Sequence, residues 1–96
     1  MPTYVTFLMT VHDADEYEKY KAGAGPLALK YGAKYLTRGQ PIQMLEGEDY
    51  SGRLVILEYP NRKAFDDFYN SEEYAPIKAI RQACSTSHYM MVQDTE

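Results

Sequence analysis

Arg53-Leu54-Val55-Ile56-Leu57-Glu58-Tyr59, closed by Pro60-Asn61, is the strongest strand signal in the chain, and the fold is read outward from it. Four β-branched or aliphatic residues occupy its centre, a content that suits a strand in the middle of a sheet. Pro60 then withdraws a ladder donor, and Asn61 is the residue type that caps a helix. Upstream, Gly47-Glu48-Asp49-Tyr50-Ser51-Gly52 has the turn chemistry of a hairpin loop. Ala33 to Arg38 and Ile42 to Glu46 read as one bent or bulged strand interrupted at Gly39-Gln40-Pro41. Further back, Tyr4 to Val11 alternates Val5, Phe7, Met9 and Val11 against Tyr4, Thr6, Leu8 and Thr10, the period of a strand with one apolar face. Asp13 with Glu16 three residues on has the spacing of a capping box, so a helix starts there. Gly23, Gly25 and Pro26 predict a break or kink before Leu27 to Tyr31, and Gly32 ends the segment.

Downstream of the central strand, Ala64, Phe65, Phe68 and Tyr69 trace a short helical stripe. Asn70-Ser71 reads as a second cap, with Glu72 and Glu73 placed for the helix dipole. Ile77, Ile80, Ala83 and Cys84 mark the buried side of the next helix. Pro76 is tolerated only in a first turn, which moves the helix start toward Tyr74. Thr86 to Gln93 closes the chain as a strand, and Asp94 to Glu96 is expected to fray.

Strand, helix, strand, strand, helix, strand is the βαββαβ order of a ferredoxin-like α+β sandwich. Right-handed crossovers give an antiparallel sheet of order 4-1-3-2 with both helical segments on one face. The other face, expected to carry Leu8, Leu54, Ile56 and Met90, has no cover within the chain. Pairing two copies through these faces makes a dimeric α+β barrel, so a homodimer is expected.

Ninety-six residues, 45% of them hydrophobic, describe one domain, 1–96, with too little length for two cores. The net charge of −4 supplies no basic footprint for nucleic acid or anionic membrane. The RNA-recognition module shares the element order, but aliphatics stand in the central strand where its stacking aromatics belong. No apolar run spans a bilayer, and the lone Cys84 has no disulfide partner, which points to the cytoplasm. Cys84 falls on an apolar stripe and reads as an inert hydrophobe. Ten tyrosines and no tryptophan place phenols at helix–sheet boundaries or around a polar-edged cavity.

With Leu54, Ile56 and Glu58 turned to the uncovered side, Glu58 needs a partner, and Arg38 on the neighbouring strand presents a planar fork for it. His88 and Thr86 are expected on the same face. Arg38, Glu58 and His88 are therefore the ligand-binding candidates, able to hold a small acid or enol, with Glu58 or His88 as base. The plainer reading makes Arg38 and Glu58 a structural ion pair and the protein a non-catalytic dimerisation or accessory module. Arg81 is expected to reach solvent or a subunit contact. His12 with Asp13 and Asp15 is a helix entry rather than a metal site, no glycine pattern cradles phosphate, and no cofactor is expected.

Tyr31-Gly32-Ala33-Lys34-Tyr35-Leu36-Thr37-Arg38-Gly39, Leu45-Glu46-Gly47, Arg53 to Pro60, and Tyr69-Asn70-Ser71-Glu72-Glu73-Tyr74 together resemble the domain of unknown function 1330 family across nearly the whole chain. The resemblance implies a dimeric α+β barrel, related in architecture to small cofactor-independent monooxygenases and to muconolactone-isomerase-like proteins. It implies no established reaction. Gln40 stands where family members often have a second glycine, and His88 where an arginine is common.

Overall fold

The computed structural model of the chain describes residues 1–95. Its elements are β1 (Thr3–Val11), α1 (Ala14–Lys30), β2 (Lys34–Arg38), β3 (Arg53–Tyr59), α2 (Arg62–Tyr69), α3 (Tyr74–Cys84) and β4 (Ser85–Asp94). The strands form one antiparallel sheet of order β2-β3-β1-β4, the expected 4-1-3-2 arrangement counted from the other edge. The architecture is ferredoxin-like, with β1 and β3 central.

Alternation in the two central strands decides where the core sits. Val5, Phe7 and Met9 pair across the ladder with Leu57, Val55 and Arg53. All but Arg53 are buried beneath the helices, with Tyr59, Phe65, Phe68 and Tyr74 around them. Each such side chain contributes roughly 1.5–3 kcal/mol of burial, so this layer dominates the stability of the domain. Tyr4, Thr6, Leu8, Leu54, Ile56 and Glu58 take the opposite face and are only half-buried.

The helix signals act as local chemistry requires. Asp13 Oδ1 accepts from the Glu16 amide at 3.2 Å, and Asn61 Oδ1 accepts from the Ala64 amide at 2.8 Å. Ser71 Oγ accepts from the Tyr74 amide at 3.1 Å, so α3 starts at Tyr74 and Pro76 falls in its first turn. Gly32, at φ +91°, ends the α1 connection, a conformation that favours glycine.

Four expectations need correction. The break before Leu27 is absent: α1 runs unbroken through Pro26. Pro26 is exposed, as is Ala22, whose carbonyl loses its helical donor to the proline ring and faces water, while buried Ala24, Gly25, Leu27 and Ala28 hold the helix to the sheet. The bent strand stops at Arg38, and residues 40–52 are an irregular connection. Arg38 pairs with Val55, two places from the start of β3, so Ile42 to Glu46 has no strand beside it to pair with. Asp94 does not fray, because β4 includes it and its carboxylate accepts from Thr3 Oγ1 at 3.1 Å; Glu96 lies outside the described residues. Met90 packs against the helix-side core rather than lying on the open face. A bulge explains it: Met9 opposes Ser87 and Leu8 opposes Tyr89, leaving His88 as an extra residue that reverses the alternation. Tyr89 and Met91 take the open face instead, 62% and 47% exposed.

Candidate functional site

The sheet separates the three residues expected to converge. Glu58 lies on the open face, where it accepts from Tyr4 Oη at 3.0 Å and stands 3.7 Å from Lys34 Nζ, its register partner on β2. His88, carried out by the β4 bulge, has Nε2 2.7 Å from Thr10 Oγ1 and meets the Tyr50 ring edge-to-face at 5.9 Å. His12 makes the matching contact to Thr86 Oγ1 at 2.7 Å. Arg38 is on the other side. A second bulge sets Tyr35 opposite Leu57 and Thr37 opposite Ile56, so Leu36 is the extra residue and Arg38 turns with Val55 toward the helices. The Arg38–Glu58 pair is therefore not formed.

What Arg38 joins is a cavity of about 50 Å³ between α1 and the helix-covered face of the sheet. Val5, Phe7, Val55 and Leu57 line it from the sheet, with Phe68, Tyr74 and the buried Tyr17; half-buried Tyr20, Lys21, Tyr35 and Arg53 and exposed Arg38 bring it to the surface. Backbone glycines make space for both guanidiniums. A Cβ on Gly25 would stand 3.1 Å from Arg38 Nη2, and one on Gly39 would stand 2.7 Å from Arg53 Cζ. The Arg38 guanidinium lies over the Tyr35 ring at 4.2 Å and that of Arg53 near the Tyr17 ring at 5.4 Å. Arg81 is 2% exposed rather than reaching solvent. It lies over Phe7 at 4.7 Å and donates to Ser87 Oγ at 3.0 Å.

Among the described residues none of these three arginines has a carboxylate partner. Among the described residues the ion pairs are made by Lys19, Lys21, Lys30, Lys34, Arg62 and Lys63. The Nε atoms of Arg53 and Arg81 are buried without a hydrogen-bond partner in the same set. A guanidinium only donates, so unpaired arginines beside an apolar cavity make it a receptor for negative charge. Their field reaches the phenols. Burial pushes the Tyr17 and Tyr35 hydroxyls above the ordinary range, with Arg53 pulling the first back and Arg38 and Arg53 the second. Tyr20 and Tyr74, hydroxyl to hydroxyl at 2.9 Å, are raised chiefly by burial, and Arg81 opposes the rise in both. No carboxylate or imidazole lines the cavity among the described residues, so Glu58 and His88 have no access to it as bases.

Sequence reading reached Arg38 but missed Arg53, Arg81, Tyr20 and Tyr74 as parts of one site. Gly25 and Gly39 carried the usable signal, since each marks a place where an arginine side chain crosses close to backbone.

The sequence model described as a domain of unknown function (DUF1330) matches residues 2–95. No curated protein matches the chain significantly. Among solved structures, RPA0582, described as a protein of unknown function from Rhodopseudomonas palustris, is 23% identical with a TM-score of 0.81, covering 99% of this chain and 82% of its own. SnoaB, a cofactor-independent oxygenase from Streptomyces nogalater, is 16% identical with a TM-score of 0.69 over 99% of this chain and 93% of its own. An ethd family protein from Bacillus halodurans is 14% identical with a TM-score of 0.56, over 100% and 99% of the two chains. The shared fold is the ferredoxin-like α+β fold.

Proposed function

The chain belongs to the DUF1330 family, and we propose that it binds a small organic acid, or the enolate of one, in the cavity between α1 and the sheet. The observation that carries this reading is the pair Arg38 and Arg53: two guanidiniums that line an apolar, tyrosine-rich space without a carboxylate partner among the described residues. Opposite charge brought to such a place gains charge-assisted hydrogen bonds, strongest at the half-buried Arg53 and more exposed to solvent at Arg38. SnoaB, a cofactor-independent oxygenase, lends the fold a precedent for chemistry without a cofactor, and the guanidinium and phenol donors here suit the charge an enolate carries. Titration calorimetry with pentanoate tests the binding. Arg53→Ala and Arg38→Ala are each expected to weaken it about ten- to a hundredfold with the fold intact. Binding indifferent to both substitutions overturns the reading.

The open face favours a second role, pairing of two copies through their sheets. The domain is a slab whose Cα extents are 34 × 32 × 17 Å, and one broad side carries all the helices. The other presents Leu8, Leu54 and Ile56 with exposed Tyr89 and Met91, on a face broad enough for the ~800 Å² per partner of an ordinary interface. Glu58 and His88 then become polar points between the two sheets, and remain candidates for a ligand held there. A cytoplasmic setting fits the lone, buried Cys84 thiol. Sedimentation of the purified protein as a monomer at micromolar concentration would remove this second role and leave the cavity untouched.

A further inference from the structure

Resting on the acid-binding reading, a third cation on α1 specifies how much charge the ligand carries. Tyr17, Lys21 and Gly25 follow one another at intervals of one turn, so they share a face of the helix, each about 6 Å beyond the last. Arg53 attends the first, with Cζ 5.4 Å from the Tyr17 ring. Arg38 attends the last, with Nη2 3.1 Å from the place a Gly25 Cβ would take. Lys21 is one turn from each and lines the same cavity as both arginines. Three cations therefore border one apolar space, and no carboxylate lines it among the described residues. Lys21 differs from the other two in having an acidic partner, Glu18, at 2.8 Å. The Glu18 side chain is 67% exposed, and an ion pair so placed contributes little in water. An ammonium on a flexible four-carbon stem can leave such a partner for a ligand.

We propose that the cavity takes a short dicarboxylate, one carboxylate held by Arg53 and Arg38 and the other by Lys21, which exchanges Glu18 for the ligand. A carboxylate offers about four acceptor positions, and two guanidinium forks fill them, so Lys21 is left for a second group. That group is a carboxylate rather than a phosphate. The cations meet the middle of α1, where the backbone amides are engaged in the helix, so the cradle of free amides that a phosphoryl group finds at a helix start is missing. The link between the two carboxylates is short and aliphatic, because the cavity holds about 50 Å³, against about 150 Å³ in one that admits benzene. Phe7, Val55 and Leu57 supply apolar contact for it.

The test compares glutarate with pentanoate, five-carbon acids that differ in the second carboxylate. Calorimetry on the wild-type protein at pH 8 is expected to show about a tenfold preference for glutarate. Lys21→Met keeps the stem and drops the charge; it is expected to bring that ratio near one, with wild-type circular dichroism showing that it folds. Glu18→Gln removes the competitor for Lys21 and is expected to raise glutarate affinity about two- to fivefold. A wild-type protein that binds pentanoate through Arg53 but shows no preference for glutarate overturns this inference and leaves the acid-binding reading standing. A preference that survives Lys21→Met also overturns it, as does tighter binding of propyl phosphate than of glutarate. Failure of the wild-type protein to bind either five-carbon acid overturns both.

Discussion

Two glycines with the same backbone and different surroundings separate strain from function. Gly39 has φ +85° and Gly47 φ +99°, in the region where a side chain is strained. Alanine at either place costs about 1–2 kcal/mol of backbone energy. For a domain this size that lowers the melting temperature by about 4–16 °C. The two sites then diverge. Nothing lies within 4 Å of a Cβ added at Gly47, whereas one added at Gly39 would stand 2.7 Å from Arg53 Cζ, far inside contact distance. The guanidinium is the free end of a long side chain, so it swings away at little further cost to stability. It leaves the cavity mouth as it does so. Losing a charge-assisted hydrogen bond of about 1.5–3 kcal/mol weakens acid binding about ten- to a hundredfold. Urea denaturation and calorimetry with pentanoate, run on both variants, read the two effects apart. Gly39→Ala and Gly47→Ala should lose similar stability, and only Gly39→Ala should lose binding. Equal binding by Gly39→Ala and wild type, or an equal loss in both variants, refutes the placing of Arg53.

Arg81→Met should change stability by no more than about 1 kcal/mol. It forfeits the Ser87 hydrogen bond but also removes a buried charge with an unpartnered Nε, and such exchanges are often neutral or stabilising. A loss above about 3 kcal/mol in urea would make Arg81 a structural clamp instead. Alkali gives an independent measure of the tyrosine core. Burial holds the Tyr20, Tyr59 and Tyr74 phenols above their ordinary value, so the folded state keeps protons that the unfolded chain releases near pH 10. The stability this represents is complete below about pH 10 and is lost as pH rises beyond it. The last phenolate absorbance should therefore appear together with loss of the helical circular dichroism. Full titration of all ten tyrosines with the helices intact would contradict the burial.

The parts of this fold that are legible in sequence are those where one face of an element is wholly apolar. In β1 and β3, Val5, Phe7, Met9, Val55, Leu57 and Tyr59 leave no choice of face, because a slip of one residue would put all of them in water. Caps are equally local: Asp13, Asn61 and Ser71 each serve an amide three residues away, and chain spacing alone predicts it. The edge strands offer no such constraint. Tyr89, Met90, Met91 and Val92 are apolar in succession, so either parity satisfies the pattern, and the bulge at His88 chooses between them through cross-strand hydrogen bonding.

The candidate site was misread for the same reason, and the consequence is chemical as well as geometric. Arg38 and Glu58 face one another if β2 alternates without interruption, and a carboxylate beside a guanidinium neutralises both. One extra residue at Leu36 sends Arg38 through to the helix side, away from every carboxylate the open face carries. There Arg38 shares a cavity with Arg53, whose own partner across the ladder, Met9, is buried. Two cations on one apolar wall are unfavourable without an anion, and the fold accepts the arrangement by giving Gly25 and Gly39 no side chain and by leaving the cavity mouth open to water. A structural ion pair would have needed none of these concessions. The bulge, Gly25, Gly39 and the free guanidiniums are thus one device, and its sense lies in an acidic ligand.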